Sequence, residues 1–268
     1  MRVSAGKYLA VFHAQVKNLF EYKVNVYLKL IRPIIMVLAV GALWMVLFEK
    51  TGKEEIGGLT QRTFIIYLLI IRYIAVFSPG GASISEMNEE IRTGNITMRL
   101  VRPVHYPLWL FVRNLPVPLF SGMIGLLVVT VLAGVLGGHV PSGGQLVCFV
   151  FSVPATIMTQ YAFYQGIGIL SFWIYDVFPI ERFYKMASSI LSGEMIPLTI
   201  FGGMAQTVLQ FLPFASLAFI PGGIYTGLFS GKEAAALVAS QYGWAAILWM
   251  TVLGMYRKGL QKYEAQGG

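Results

Sequence analysis

RTFIIYLLIIRYIAVFSP, residues 62–79, is an apolar run that opens on Arg62 and carries a second arginine, Arg72, near its middle. A helix crossing a hydrocarbon core roughly 30 Å thick needs about 20 mostly apolar residues. The stretch therefore reads as a membrane span with a charge inside it. Working outward, further runs at 30–48 (LIRPIIMVLAVGALWMVLF), 108–137, 145–175, 186–203 and 234–256 read the same way. Those at 108–137 and 145–175 exceed one crossing, and Pro116 and Pro118 suggest an interfacial turn in the first of them. Composition agrees, with 56% apolar residues, 12% charged residues and a mean hydropathy of +0.68. Soluble domains carry roughly 25% charged residues. The expected fold is an all-α integral membrane protein with six transmembrane helices, one domain spanning 1–268.

Twenty Lys and Arg against twelve Asp and Glu give a net charge of +8. In a membrane protein such an excess points to cytoplasmic loops and lipid headgroups rather than nucleic acid. Arg2, Lys7, Lys17, Lys23 and Lys29 precede the first run, Arg32 lies at its very start, and Arg257, Lys258 and Lys262 follow the last, which predicts both termini in the cytoplasm. Arg92, Arg99, Arg102 and Arg113 mark the second gap as internal, as do Arg182 and Lys185 the fourth. The uncharged gap 138–144 and the nearly uncharged 203–233 face outward. Lys50, Lys53 and Arg62 weigh the other way in the first gap, but an even number of spans requires it outside.

Residues 1–29 precede the first span without an uninterrupted apolar core or a cleavage site, so no cleaved signal peptide is expected. Tyr8, Leu9, Val11, Phe12, Val16, Leu19 and Phe20 recur at helical spacing with lysines between them. This suits a helix lying in the cytoplasmic interface, or an amphipathic helix packed on a partner. The segment 203–233 is apolar but broken by Pro213, Pro221 and Gly222–Gly223. It reads as a re-entrant hairpin or as an external loop lying on the bilayer.

Chemistry at a catalytic centre is not expected. The nearest approach to a phosphate-binding G-x-x-x-x-G-K-[ST] loop, GLFSGKE at 227–233, has too few residues between its glycines and a glutamate in the hydroxyl position. His13, His105 and His139 are scattered, and Cys148, the single cysteine, lies in an apolar run, so neither a metal site nor an internal disulfide is predicted.

One segment remains, EEIRTGNITMRLVRP at 89–103, within the cytoplasmic gap 80–107. Glu89, Glu90 and Ile91 can extend a helix out of the second span. Gly94 and Asn95 turn the chain, and Ile96 to Leu100 make a short amphipathic helix stopped by Pro103. Ile96, Met98 and Leu100 would offer apolar knobs to a partner, and Arg92, Arg99 and Arg102 would meet its acidic groups. An ordinary loop with arginines on anionic headgroups is the alternative reading.

The order of these elements resembles the permease subunit of an ABC type-2 exporter. NLFEYKVNVYLKLI (18–31), GNITMRLVRPVHYPLW (94–109), SGEMIPLTIF (192–201) and VLQFLPFASLAFIPGGIYTG (208–227) look like the small bacterial permeases of that superfamily. The resemblance implies that 80–107 is a coupling segment that seats in an ATPase subunit, with Glu90, Ile91, Arg92, Gly94, Asn95, Ile96, Met98, Arg99, Leu100 and Arg102 carrying the contact. It also implies two copies of that ATPase, which bind ATP and Mg while this chain binds no cofactor. A second permease subunit, homologous or identical, membrane lipids and a bacterial cytoplasmic membrane complete the expectation. Alternating access would then export an amphiphile such as a drug, lipid or peptide.

Arg72 and Glu194 lie about ten and eight residues into their runs, which at about 1.5 Å per residue puts both in the middle third of the bilayer. Ionisable groups at such depth face the protein interior or a wet cavity. The two are expected to meet, either to lock spans together or to line the path of a polar substrate head. Arg113 and Arg32, near the inner face, are expected to snorkel to phosphates. A gradient-driven carrier or channel would show inverted repeats and several intramembrane acids. The sequence offers one such acid, Glu194.

Overall fold

A computed structural model describes residues 5–19, 23–78, 82–101, 104–135 and 141–265. Arg2, Glu21, Arg102, Pro103 and His139 lie outside the described residues, as does the side chain of Arg32. The helix α1 (Ala5–Leu19) precedes α2 (Lys23–Thr51), a 29-residue helix that contains the run 30–48. Rather than standing apart, α1 packs on the chain's own third apolar run, and the Tyr8 hydroxyl accepts from the backbone N–H of His105 at 3.1 Å.

A two-residue hairpin follows α2, with β1 (Glu55–Ile56) antiparallel to β2 (Leu59–Thr60) in the register Ile56 opposite Leu59. Its turn residues, Gly57 and Gly58, both have positive φ, which matches the twist of a tight hairpin and suits glycine. Gly57 also lies close against Thr199, where an added Cβ would come within 2.4 Å of the hydroxyl oxygen.

The Thr60 hydroxyl caps α3 (Gln61–Val76). This helix has 16 residues, so at about 1.5 Å each it is roughly 24 Å long. Next come α4 (Ala82–Arg92), α5 (Ile96–Leu100), α6 (Tyr106–Asn114) and α7 (Pro116–Val135). The chain turns at Leu115, where Pro116 and Pro118 remove two backbone donors. The carbonyl of Asn114, four residues before Pro118, accepts instead from the Tyr161 hydroxyl at 2.8 Å.

Ser142 and Gln145 form a capping box at the start of α8 (Gly143–Ile169), which continues as a 3-10 turn to Phe172. After it stand α9 (Phe178–Leu191), α10 (Gly203–Phe211), a 3-10 turn Pro213–Leu217, α11 (Phe219–Tyr225) and α12 (Gly231–Ala265). The helix α8 runs through the middle, touching α12, α11, α4 and α9, while α2, α3 and α7 pack together beside it. Among the described residues three helical stretches are long and apolar enough to cross a membrane: Tyr106–Val131, Gly143–Phe172 and Gly231–Tyr263.

The run 186–203 is not the continuous helix expected. It ends at Leu191, turns through Gly193 at φ +79° and resumes as a 3-10 turn at Leu198–Ile200. Pro197 lacks the N–H that would continue a helix. Neighbours satisfy the freed carbonyls: Ser192 accepts from the N–H of Phe219 at 2.9 Å and Gly193 from the Tyr67 hydroxyl at 2.9 Å.

Small residues let α7 approach α3. A Cβ at Gly125 would lie 1.9 Å from the Tyr73 ring, and one at Gly122 would lie 2.5 Å from the Phe77 ring. Nothing lies within 4 Å of the Cβ position at Gly134 on the same helix. Overpacking a tight core costs about 1–3 kcal/mol. Gly125→Val is therefore expected to lower the melting temperature in detergent by several degrees, whereas Gly134→Val leaves it within a degree.

Candidate functional site

The segment between α3 and α6 builds its site from the α4 stripe. Ser83, Ile84, Met87, Asn88 and Ile91 are buried, which turns Glu86 and Glu90 to the side where α5 and α6 pass. Gly94, at φ +77°, reverses the chain so that α5 folds back beside α4. The two helices are joined by Arg99, which donates through Nε at 2.9 Å and Nη2 at 2.6 Å to the Glu90 carboxylate.

This geometry corrects part of the sequence reading. Ile96, expected as a knob for a partner, is 0% exposed and packs with Met87, Ile91, Tyr106, Trp109 and Leu110. Ile91 is buried in the same cluster. Arg99 pairs with one oxygen of Glu90, and the Arg99 guanidinium lies 4.6 Å from the centre of the Trp109 ring. Arg113 does not reach out to phosphates: it pairs with Glu86 and lies 4.9 Å from the same ring. For Ile96 and Arg99 the physical reason is that a five-residue helix has little stability alone and is held by packing its better face on its own chain.

What remains outward is a narrow edge. Met98 is 73% exposed, Val101 86%, and Leu100 is partly exposed beside them. Asn95 is also exposed, and Gly94 is half-buried near the Tyr263 hydroxyl. Arg92 lies over the Tyr175 ring and donates to its hydroxyl, tying the end of α4 to the loop after α8. Trp109 and Glu86 did not stand out in the sequence. The one signal was spacing, since Glu86 and Glu90 are one turn apart, as are Trp109 and Arg113.

Deeper in the bundle the structure brings Arg72 and Glu194 together as an ion pair. Arg72 comes from the C-terminal third of α3, and Glu194 from the non-helical turn after α9 rather than from a helix. Tyr67, Tyr164 and Tyr184 lie within electrostatic reach of the carboxylate. Tyr164 and Tyr184 also stack edge to face at 5.6 Å, and Tyr184 reaches Phe163 and Phe214. The charges thus sit within a girdle of aromatic rings, each partly accessible rather than sealed.

Long apolar helices, a charged segment at one end and an ion pair among the helices define a helical multi-pass membrane protein. A model of the family described as ABC-2 family transporter protein matches residues 34–267, and the chain belongs to that family. No curated protein matches it. Membership makes this chain the membrane component of an ABC transporter, a permease rather than an enzyme, and implies association with an ABC ATPase subunit.

Leaving one member of a desolvated ion pair alone costs about 3–5 kcal/mol, less where water reaches it. Arg72→Glu and Glu194→Arg are each expected to lower the yield of folded, monodisperse protein severalfold in detergent, and the double exchange is expected to restore most of it. Size-exclusion chromatography with a thermal melt checks both arms.

Proposed function

We propose that this permease works as one of two membrane subunits in an ATP-driven exporter that moves an amphiphile out of the cytoplasm or the inner leaflet. Two ATPase subunits bind ATP and Mg, and their closure pushes α5. The second permease subunit is either a homologue or another copy of this chain. The observation that carries the reading is the α5 edge: Met98 and Val101 stand exposed on a segment whose opposite face is fixed to the bundle. Apolar side chains held out into water on a rigid support suit a groove in a soluble partner.

In this reading the chain crosses a bacterial cytoplasmic membrane six times with both termini inside. The crossings are α2, α3, α6 with α7, α8, the broken α9 segment and α12. The stretch from α10 to α11 enters from the outside and returns. Support for its depth comes from Ser216, whose carbonyl accepts from Thr156 of α8 at 2.7 Å, and from α11, which is buried against α3 and α8. The pairing of Glu194 with Arg72 argues against a gradient-driven carrier, because the acid a proton or sodium ion would use is already neutralised within the chain.

Affinity purification of the tagged protein from its native membrane in mild detergent is expected to bring an ABC ATPase with it. Met98→Asp with Val101→Asp is expected to lose that ATPase while the melting temperature stays within two degrees. If wild type brings no ATPase, the gradient-driven carrier or channel takes its place.

A further inference from the structure

Trp109 carries two cations on one ring. Arg99 comes from α5, Arg113 from the turn of α6 that follows the tryptophan, and each guanidinium is ion-paired to α4, through Glu90 and Glu86 respectively. Three elements therefore converge on a single buried indole. Its neighbours in the cluster include Met87 and Ile91 of α4, Ile96 of α5, Tyr106 and Leu110 of α6, and Tyr256 of α12.

The arrangement is interdependent. Arg99 and Arg113 would repel each other across one ring were each not matched by its own carboxylate. The carboxylates would sit unmatched on α4 were the arginines free to swing into water. Single exposed ion pairs contribute little, whereas pairs set over an aromatic face and tied into a network are held in one geometry. A five-residue helix needs such bracing, because one turn does not persist unsupported in water.

We infer that Trp109 is the joint that delivers movement of α5 to the span Tyr106–Val131, by holding α4, α5 and α6 as one lever. The inference rests on the reading that an ATPase pushes α5. Trp109 is thus a positioning residue for transport, acting through Arg99 and Arg113. Its aromatic face is the necessary property, so phenylalanine can replace it and leucine cannot.

The test has two stages, both in a Cys148→Ser background. In the first, spin labels at Met98→Cys and Phe120→Cys report the distance between α5 and α7 by pulsed electron resonance on the permease alone. Wild type and Trp109→Phe are expected to give one narrow distribution, and Trp109→Leu one at least twice as broad. In the second, labels at Phe120→Cys and Ile247→Cys are followed in the complex with the co-purified ATPase, before and after trapping with ATP and vanadate. Wild type is expected to shift, whereas Trp109→Leu keeps its ATPase and hydrolyses ATP without the shift. Should Trp109→Leu not fold, Glu90→Gln carries the same measurements. A narrow distribution and an unchanged shift in the leucine variant overturn the lever. Absence of any ATPase from wild type overturns the proposed function instead, while the first stage still decides whether the three helices move as one.

Discussion

Gln241 is fully buried on α12, and its amide holds the centre of the bundle together. Its oxygen accepts from Ser152 at 2.7 Å, and its nitrogen donates to Thr156 at 3.3 Å and to the carbonyl of Ser216 at 3.2 Å. In a bilayer no water is at hand to repair a missing partner, so polar groups at depth must find one another. This knot therefore fixes the rotation of α12 against α8 and pins the turn Pro213–Leu217 at the same level. Lower down, Gln165 donates to Ser83 at 3.3 Å and does the same for α4 against α8. The central helix sets Ser152, Thr156 and Gln165 among apolar residues on the side it shows its neighbours, while Val147, Val150 and Phe151 remain exposed.

The same rule shows at three breaks in the described helices. Where Pro118 leaves the Asn114 carbonyl free, Tyr161 donates to it. At the end of α10 the Phe211 carbonyl accepts from the Trp244 indole at 2.8 Å. The turn carrying Glu194 is met by Tyr67 and by the first N–H of α11. These donors come from elements far away in sequence. Breaks in the helices and side chains on the neighbours therefore form one design, in which a proline or glycine on one segment is matched by a tyrosine, a tryptophan or a helix start on another.

That pairing explains what the sequence could and could not reveal. An apolar run marks α8, and Pro116 marks the turn before α7, because these signals are local. The meeting of Arg72 and Glu194 was legible too, since counting residues from each end of a run brings them to one level. The helix end at Leu191 was not, because apolar composition is the same whether a backbone is helical or has its carbonyls met from α3 and α11. Ile96 was misjudged for a related reason. A short amphipathic helix shows which residues share a face, but not which face turns inward, and here the answer depended on Trp109, Tyr106 and α4. The Arg99 contact with Glu90 lies across the Gly94 turn, a distance that helical spacing does not describe.

Exposure has a different meaning at different levels of this molecule. Leu38, Leu43 and Met45 on α2 and Met123, Leu127 and Val131 on α7 are exposed, and in the proposed topology, where both helices cross hydrocarbon, that costs nothing. Lipid chains and a second permease satisfy such surfaces almost equally, so they say little about partners. Beyond the bilayer the balance changes, because apolar area left in water costs about 25 cal/mol for each Å². Met98 and Val101 belong to the segment the charge pattern assigns to the cytoplasm, and their helix is pinned by Ile96 and Arg99 so that they cannot fold away. In the proposed topology this apolar edge stands in water. There, burial against a soluble subunit recovers that cost, and the rigidity behind the edge lets the contact move the spans.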